Sequence, residues 1–390
     1  MDFMEICFWI CAGCVAYAYV LYPVLLAVLA KVRPRPNRVG GFKPQSVSVI
    51  IAAHNEEATI ERRLDELLEQ LADAAVEGEI IVVSDGSTDA TVARAAATAN
   101  SLIHVLDLPT NGGKAAALTA GCAEASGEII VFADARQTWA PWALKLLLEN
   151  FADPSVGAVS GDLVIVCAPG VMSGVGFYWR FEKWLRKKES RIHSVVGVTG
   201  AISAVRRELF RPIPRGTILD DVYWPLAVAM QGYRVIHDRR AQAFDRLPDR
   251  TMDEFQRKVR TLSGNFQLLT RLPGALVPWR NPIWFQYVSH KLSRLVVPWA
   301  LLTLLPLSAG LTGGIYRFAF AMQVLFYLLA FAGMWRWTGS RVRVAAAAAS
   351  FLVLNSAAWL AFWVWITGKA SRSWRKVPYQ LPPLSYSTHS

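Results

Sequence analysis

The chain has 390 residues, 53% of them hydrophobic, and a formal net charge of +11. That length allows one sizeable domain together with membrane segments. The charge does not mark a nucleic-acid partner: no nucleic-acid motif accompanies it, and much of it flanks apolar stretches, where it suits anionic lipid.

The first element, Ile6 to Ala30, is almost free of charge and long enough to cross a bilayer. It is too long for a signal-peptide core and lacks a basic leader and a small-residue cleavage site, so residues 1–31 are expected to form a retained transmembrane helix. Cys7, Cys11 and Cys14 lie inside it, and a buried apolar role outweighs a metal or redox role for the CxxC they contain. A basic linker follows over residues 32–43. Lys31, Arg33, Arg35 and Arg38 place it, and with it the middle of the chain, on the cytoplasmic side by the positive-inside rule.

From Pro44 to about Ser160, strand and helix signals alternate. "SVSVIIA", "EIIVVSD", "LIHVLDL" and "EIIVFAD" read as buried strands. Between them, "EEATIERRLDELLEQL" carries Ile60, Leu64, Leu67, Leu68 and Leu71 at helical spacing, "STDATVARAAATA" reads as a capped helix, and "GGKAAALTAGCAEA" as a helix opened by two glycines. Such alternation predicts an α/β domain whose mostly parallel sheet is covered on both faces. Ligands bind at the carboxyl ends of the strands in these sheets, and the polar residues His54, Asn55, Asp85 and Asp134 fall there. No GxGxxG or P-loop follows a strand, which sets aside a dinucleotide dehydrogenase or an NTPase.

Further along, "GFYWRFEKWLRKKESR" places Phe177, Phe181, Trp184 and Leu185 on one helical face, with Arg180, Lys183, Arg186, Lys187 and Lys188 around the rest. This is the pattern of a helix lying in the membrane interface, and an amphipathic interfacial helix is expected near 174–190; a buried amphipathic helix is the alternative. Asp220 and Asp221 open an apolar helix. They could cap it or do chemistry. In "DEFQRKVRTLSGNFQLL", Phe255, Val259, Leu262, Phe266 and Leu269 form one stripe, while Arg257 and Arg260 share another face.

The domain is expected to run over 44–270, followed by an interfacial segment over 271–295, about three transmembrane helices over 296–368 and a tail over 369–390. Val296 to Leu311 is short for a span and holds Pro298 and Pro306. Tyr316 to Trp335 and Val344 to Gly368 are long enough. Arg336, Arg341 and Arg343 agree with a cytoplasmic loop if all three cross, whereas Lys369, Arg372, Arg375 and Lys376 would then lie outside. Four spans are expected, and the side of the C-terminus stays open.

The motifs "VSVIIAAHNEEATI", "IIVVSDGSTDAT", "NGGKAAAL", "VFADA", "VTGAISAVRRELF", "TILDDVYWPLAVAMQGYRV" and "FQRKVRTLSGN" occur in the order seen in family 2 glycosyltransferases. The chain resembles most closely the membrane-embedded branch that includes cellulose, chitin and hyaluronan synthases, over roughly Pro44 to Leu269. The resemblance implies a GT-A nucleotide-sugar-binding domain with transmembrane helices, a nucleotide-diphosphate sugar donor and inversion at the anomeric carbon. It puts Ala53, His54, Asn55 and Glu56 in the loop around the nucleoside, with His54 in place of the usual Tyr. Asp85 takes the base- and ribose-contacting position, preceded by Ser84 where relatives often have a second acid. Lys114 approaches the donor, and Asp134 matches the first acid of the DxD motif. Asp221 matches the catalytic base. Asp220, Arg257 and Arg260 are assigned to the acceptor or the diphosphate. Arg257 stands for the Gln of QxxRW and Thr261 for its Trp, and Thr261 cannot stack on an acceptor sugar.

The second DxD position is Arg136. A Mg²⁺ or Mn²⁺ ion is expected on Asp134, completed by phosphates and water and weakly held. Arg136 could instead pair with phosphate, the enzyme could be impaired, or the arginine could simply face solvent. The leading expectation is an integral-membrane inverting glycosyltransferase, in a bacterial inner membrane with a cytoplasmic catalytic domain. It would move a sugar from a UDP-sugar to a lipid-linked or growing glycan acceptor, in contact with membrane lipid. A processive polysaccharide synthase with coupled secretion is the near alternative, and a catalytically silent nucleotide-sugar-binding scaffold the distant one.

Overall fold

The computed structural model describes residues 2–42, 44–166, 175–246, 251–335 and 343–369. Four strands, β1 (Ser46–Ala53), β2 (Glu77–Asp85), β3 (Ile103–Leu108) and β4 (Ile129–Asp134), run parallel in the order β3-β2-β1-β4. Their apolar runs are nearly continuous because both faces are covered. On one face Val47, Val49 and Ile51 pack with Ile60, Leu64, Leu67 and Leu71 of the helix Ile60–Ala74. On the other, Ile50, Val83 and Phe132 pack with Leu118 of the helix Lys114–Glu124 and with Trp224.

Beyond β4 the sheet is mixed rather than parallel. β7 (Ile202–Arg206) lies antiparallel to β4 and to β6 (Val156–Val166), while β8 (Arg234–Arg246) is parallel to β6 and pairs with the short β5 (Thr138–Trp139). This reversal matters for function. β1, β2 and β4 end at one edge of the sheet, and β7 begins there, with Ile202 opposite Ala133. The backbone just before β7 therefore borders the strand-end carboxylates.

Among the described residues four helices are long and apolar enough to cross a membrane: Phe3–Val32, Trp284–Gly310, Gly314–Met334 and Val344–Ile366. The second corrects the sequence reading. It starts inside the stretch 271–295 assigned to an interface, and it runs helically through Pro298 and Pro306. Its early turns hold His290, Lys291 and Arg294, which a hydropathy pattern rejects. His290 and Arg294 are tolerated because protein carboxylates meet them. Arg336, Arg341, Arg372, Arg375 and Lys376, used above for orientation, lie outside the described residues.

The helix Val175–Ile192 packs part of its surface against protein, including the first candidate membrane helix; the side chain of Phe177 lies outside the described residues. Leu185 is fully buried with Tyr22 and Leu26 of the first membrane helix. Glu182 and Glu189 are buried too. The Tyr22 hydroxyl donates to Glu189 at 2.7 Å. The ring nitrogens of His290 meet Glu189 at 2.7 Å and Glu182 at 3.0 Å, and Arg294 pairs with Glu182. A buried carboxylate stripped of its partner is left uncompensated. His290→Ala is therefore expected to cost about 3–5 kcal/mol and Tyr22→Phe about 2 kcal/mol. Thermal unfolding midpoints in detergent check the order; a Tyr22→Phe loss as large as that of His290→Ala would contradict it.

Candidate active site

The loops that leave β1 and β2 are laced together. The His54 ring meets the Asp85 carbonyl through Nδ1 at 2.8 Å. Asn55 adopts a left-handed φ of 55°, which asparagine tolerates, and its Oδ1 accepts the Thr88 N–H at 2.8 Å. The Glu56 N–H donates to Thr91 Oγ1 at 2.7 Å, and the Glu57 carboxylate accepts the Ala90 N–H at 3.0 Å. Ala53 ends β1 opposite Ser84. Asp85, buried at the end of β2, accepts the N–H groups of Gly112 at 2.7 Å and Gly113 at 2.8 Å. It thus fixes the turn that delivers Lys114. Gly86 holds a φ of 63°, and a Cβ there would stand 2.5 Å from the Asn111 nitrogen, so no other residue fits the closure of these loops.

Lys114 Nζ sits 2.6 Å from Asp134 Oδ1. Burial pushes the Asp134 carboxyl up, but Lys114 first, then Arg136 and Arg63, outweigh it and hold it below the usual carboxylate range. Lys114 also feels Asp220 and Asp221. These two acids occupy the first turn of the helix Asp220–Met230, where the helix dipole favours negative charge. Burial, with Asp221 beside it, pushes the Asp220 carboxyl up to about 6. Burial also raises Asp221, against the pull of Lys114, Arg186 and Lys291. Asp134, Lys114, Asp220 and Asp221 thus form one electrostatic unit.

Arg136 is tied elsewhere. Its Nε and one terminal nitrogen grip Asp245, at the end of β8, at 3.2 and 2.6 Å, and Gln137 donates to the same carboxylate at 3.0 Å. The arginine is thus held by protein, not turned out to solvent. Asp245 was missed because its partner lies 109 positions away in the chain. Arg63 was missed as well. It is fully buried, donates to the Asp134 carbonyl at 3.1 Å, pairs with Glu66 and lies 4.6 Å from the centre of the Trp139 ring. Its only sequence signal was a charge on the apolar face of the helix Ile60–Ala74. Arg257 and Arg260 lie on the helix Thr251–Arg271, where Arg257 pairs with Glu254 at 2.7 Å.

Among the described residues no group of three His, Cys, Asp or Glu is set to hold a metal. One carboxylate is available, however. Asp134 Oδ1 takes Lys114, and no described residue donates a hydrogen bond to Oδ2. An open carboxylate oxygen beside a diphosphate suits a hard cation that draws its other ligands from phosphate and water.

Residues 48–213 match the family model for glycosyl transferase family 2. The poly-beta-1,6-N-acetyl-D-glucosamine synthase of Staphylococcus aureus (strain COL) is 27% identical over 243 residues, 58% of this chain and 56% of the relative. The chain therefore matches little more than half the length of that relative. Dolichyl-phosphate beta-glucosyltransferase ALG5D of Trichomonas vaginalis is 42% identical over 101 residues, 24% of this chain and 31% of that one. Among solved structures, the mannosyltransferase PcManGT from Pyrobaculum calidifontis, in complex with GDP-Man and Mn2+, gives a TM-score of 0.69 at 23% identity, covering 93% of this chain and 99% of that one. That likeness shows the fold, a GT-A domain, which here stands beside four candidate membrane-spanning helices among the described residues.

Two predictions follow from this electrostatic unit. The folded protein holds the Asp220 proton more tightly than the unfolded chain does, so Asp220 favours folding below about pH 4. That contribution is lost as pH rises through about 6. Asp220→Asn should raise the stability of the protein at pH 8 by up to about 3 kcal/mol, with the gain vanishing towards pH 4; an equal gain at both pH values in thermal unfolding would contradict the assignment. A Cβ at Gly200 would stand 2.7 Å from Lys114 Nζ. Gly200→Ala should therefore displace the ammonium and weaken nucleotide-sugar binding by about 1.5 kcal/mol, roughly tenfold in Kd, read by titration calorimetry.

Proposed function

Since the chain carries a family 2 glycosyltransferase domain over residues 48–213, we propose that it is an inverting membrane enzyme that moves a sugar from a nucleotide-diphosphate donor to a lipid-linked or growing glycan acceptor. The observation that carries this reading is the placement of Lys114, Asp134 and Asp221 in one electrostatic unit at the strand ends. The laced loops 53–57 and 85–91 form the shelf for the nucleoside. Lys114 offsets the charge of the departing diphosphate, and Asp134 orients that ammonium. Asp221 takes the proton of the attacking acceptor hydroxyl. Asp134 would hold a divalent cation through its open oxygen, and such an ion supplies further charge neutralisation at the leaving phosphates. Arg257 and Arg260 belong to the acceptor or diphosphate side. Arg136, gripped by Asp245, acts on the donor through the field it sets at Asp134 rather than as a metal ligand.

The donor is a UDP-sugar in this reading, and the basic residues after the first span put the domain at the cytoplasmic face of a bacterial inner membrane. Similarity to a synthase of a β-1,6-linked polymer favours repeated addition as a second reading, whereas Thr261 offers no ring to stack on a growing chain. Product length from the purified protein separates the two.

Asp221→Asn should retain nucleotide binding and lose transfer by about 10²–10⁴-fold, measured as nucleotide release across a screen of UDP- and GDP-sugars with and without EDTA. Because transfer needs the ionised carboxylate, activity should rise with pH through a limb set above the ordinary aspartate range, in line with the raised Asp221. Near-normal transfer by the variant would remove Asp221 from the role of base.

A further inference from the structure

The helix Val175–Ile192 carries Glu182, Arg186 and Glu189 at positions i, i+4 and i+7, on one face. The two carboxylates are satisfied by His290, Arg294 and Tyr22. Arg186, between them, forms no ion pair among the described residues, and its one hydrogen bond is a long one, 3.4 Å, to the Val198 carbonyl. The Val198 N–H donates to the Asp221 carbonyl at 2.8 Å, so this guanidinium borders the backbone at Asp221. On the membrane helix opposite, Lys291 follows His290. Its half-buried ammonium has no hydrogen bond or ion pair among the described residues. The charges of both cations reach the Asp221 carboxyl.

A third group belongs to the same place. The side chain of His237 on β8 is only 1% exposed, and neither ring nitrogen has a hydrogen-bond partner among the described residues; Asp162 stands 3.6 Å away. Burial and then Arg186 push its pKa down to about 4, so the ring is neutral at physiological pH. Among the described residues the two cations meet carboxylates only at longer range, Glu182, Glu189 and Asp221, and most of their N–H groups and both ring nitrogens of His237 lack hydrogen-bond partners, which is costly in a half-buried seam unless something polar fills it. An anion suits this place, because its oxygens can accept hydrogen bonds from both cations at once. Lys291 stands on a helix whose apolar window has a mean hydropathy of 1.5, so an anion that reaches it is best delivered by a molecule already in the membrane.

We propose that this seam is the seat for the phosphate of a lipid-linked acceptor, gripped by Arg186 and Lys291, and that binding there brings the acceptor hydroxyl to Asp221. The inference rests on the glycosyl-transfer reading above and specifies its acceptor. Neither cation carried a role in the sequence assignment. Arg186 was one of several charges on an amphipathic helix, and Lys291 lay in an interfacial stretch.

The test uses the full chain in phosphatidylcholine nanodiscs, with farnesyl phosphate and farnesol as probes that differ only in the phosphate. Farnesyl phosphate should bind at least tenfold more tightly than farnesol. Arg186→Gln and Lys291→Gln should each weaken it at least fivefold, with Arg186→Lys retaining more affinity than Arg186→Gln and with the Kd for UDP within twofold throughout. Equal binding of the two probes would overturn the proposal, as would unchanged affinity in both glutamine variants. Displacement by phosphatidylglycerol at equal mole fraction would overturn it in favour of bulk anionic lipid, and displacement by millimolar inorganic phosphate in favour of a soluble anion. A wild-type protein that prefers farnesyl phosphate but binds no nucleotide would support the seat and count against the proposed transfer instead.

Discussion

One ammonium group organises the catalytic edge. Lys114 lies among Asp134, Asp220 and Asp221, and each depends on it. Burial alone would pull this lysine down, yet Asp134 and Asp220 hold it above the ordinary lysine range. Three carboxylates cannot share a half-buried cleft without a cation among them, because like charges in low dielectric repel strongly. The backbone serves this constraint. Asp85 spends its carboxylate on the two glycine N–H groups that aim Lys114, and Gly200 leaves room for the ammonium to reach Asp134. In the proposed reaction a donor diphosphate arriving here would meet a cation that is already ordered, and the chain need not fix a long side chain at the moment of binding.

The same logic explains what stands in the second acidic position of the strand-end motif. An arginine beside Asp134 lowers that carboxyl, but the arginine itself is drawn away by Asp245. The charge balance around Asp134 thus involves an acid supplied by β8, the far side of the mixed half of the sheet.

Much of the first half of the domain was legible in the sequence. The strands ending at Ala53, Asp85 and Asp134 are short apolar runs whose two covered faces leave no other reading, and the polar residues at or just past their ends, His54, Asp85 and Asp134, lie on one edge of the sheet. What local pattern could not supply was pairing across distance. Asp245 is 109 positions from Arg136. The stretch from Trp284 was assigned to an interface, and the carboxylates that meet its His290, Glu182 and Glu189, lie more than 100 positions earlier. The helix Val175–Ile192 had the composition of a membrane-surface element, and only packing revealed that its buried face meets other helices. The antiparallel β7 likewise follows a break in the βα alternation that sequence periodicity does not resolve.

The first membrane helix contains a wide π turn over Tyr17–Leu21, and the second contains another over Val288–Leu292, with the Tyr17 hydroxyl 2.6 Å from Ser289 Oγ. At about 100° per residue, Phe8, Ala12, Tyr22 and Leu26 would fall on one stripe of a regular helix. They do not share a neighbour: Phe8 and Ala12 pack with Leu304 and Tyr316, whereas Tyr22 and Leu26 pack with Leu185. A π turn inserts one extra residue and so re-phases everything after it. Each of these helices is therefore two helices out of phase, one segment keyed to its fellow membrane helices and the other to the catalytic domain. Removing a single residue from either wide turn would swing the domain-facing half by roughly a quarter turn, dividing Tyr22 or His290 from the carboxylates without altering either side chain.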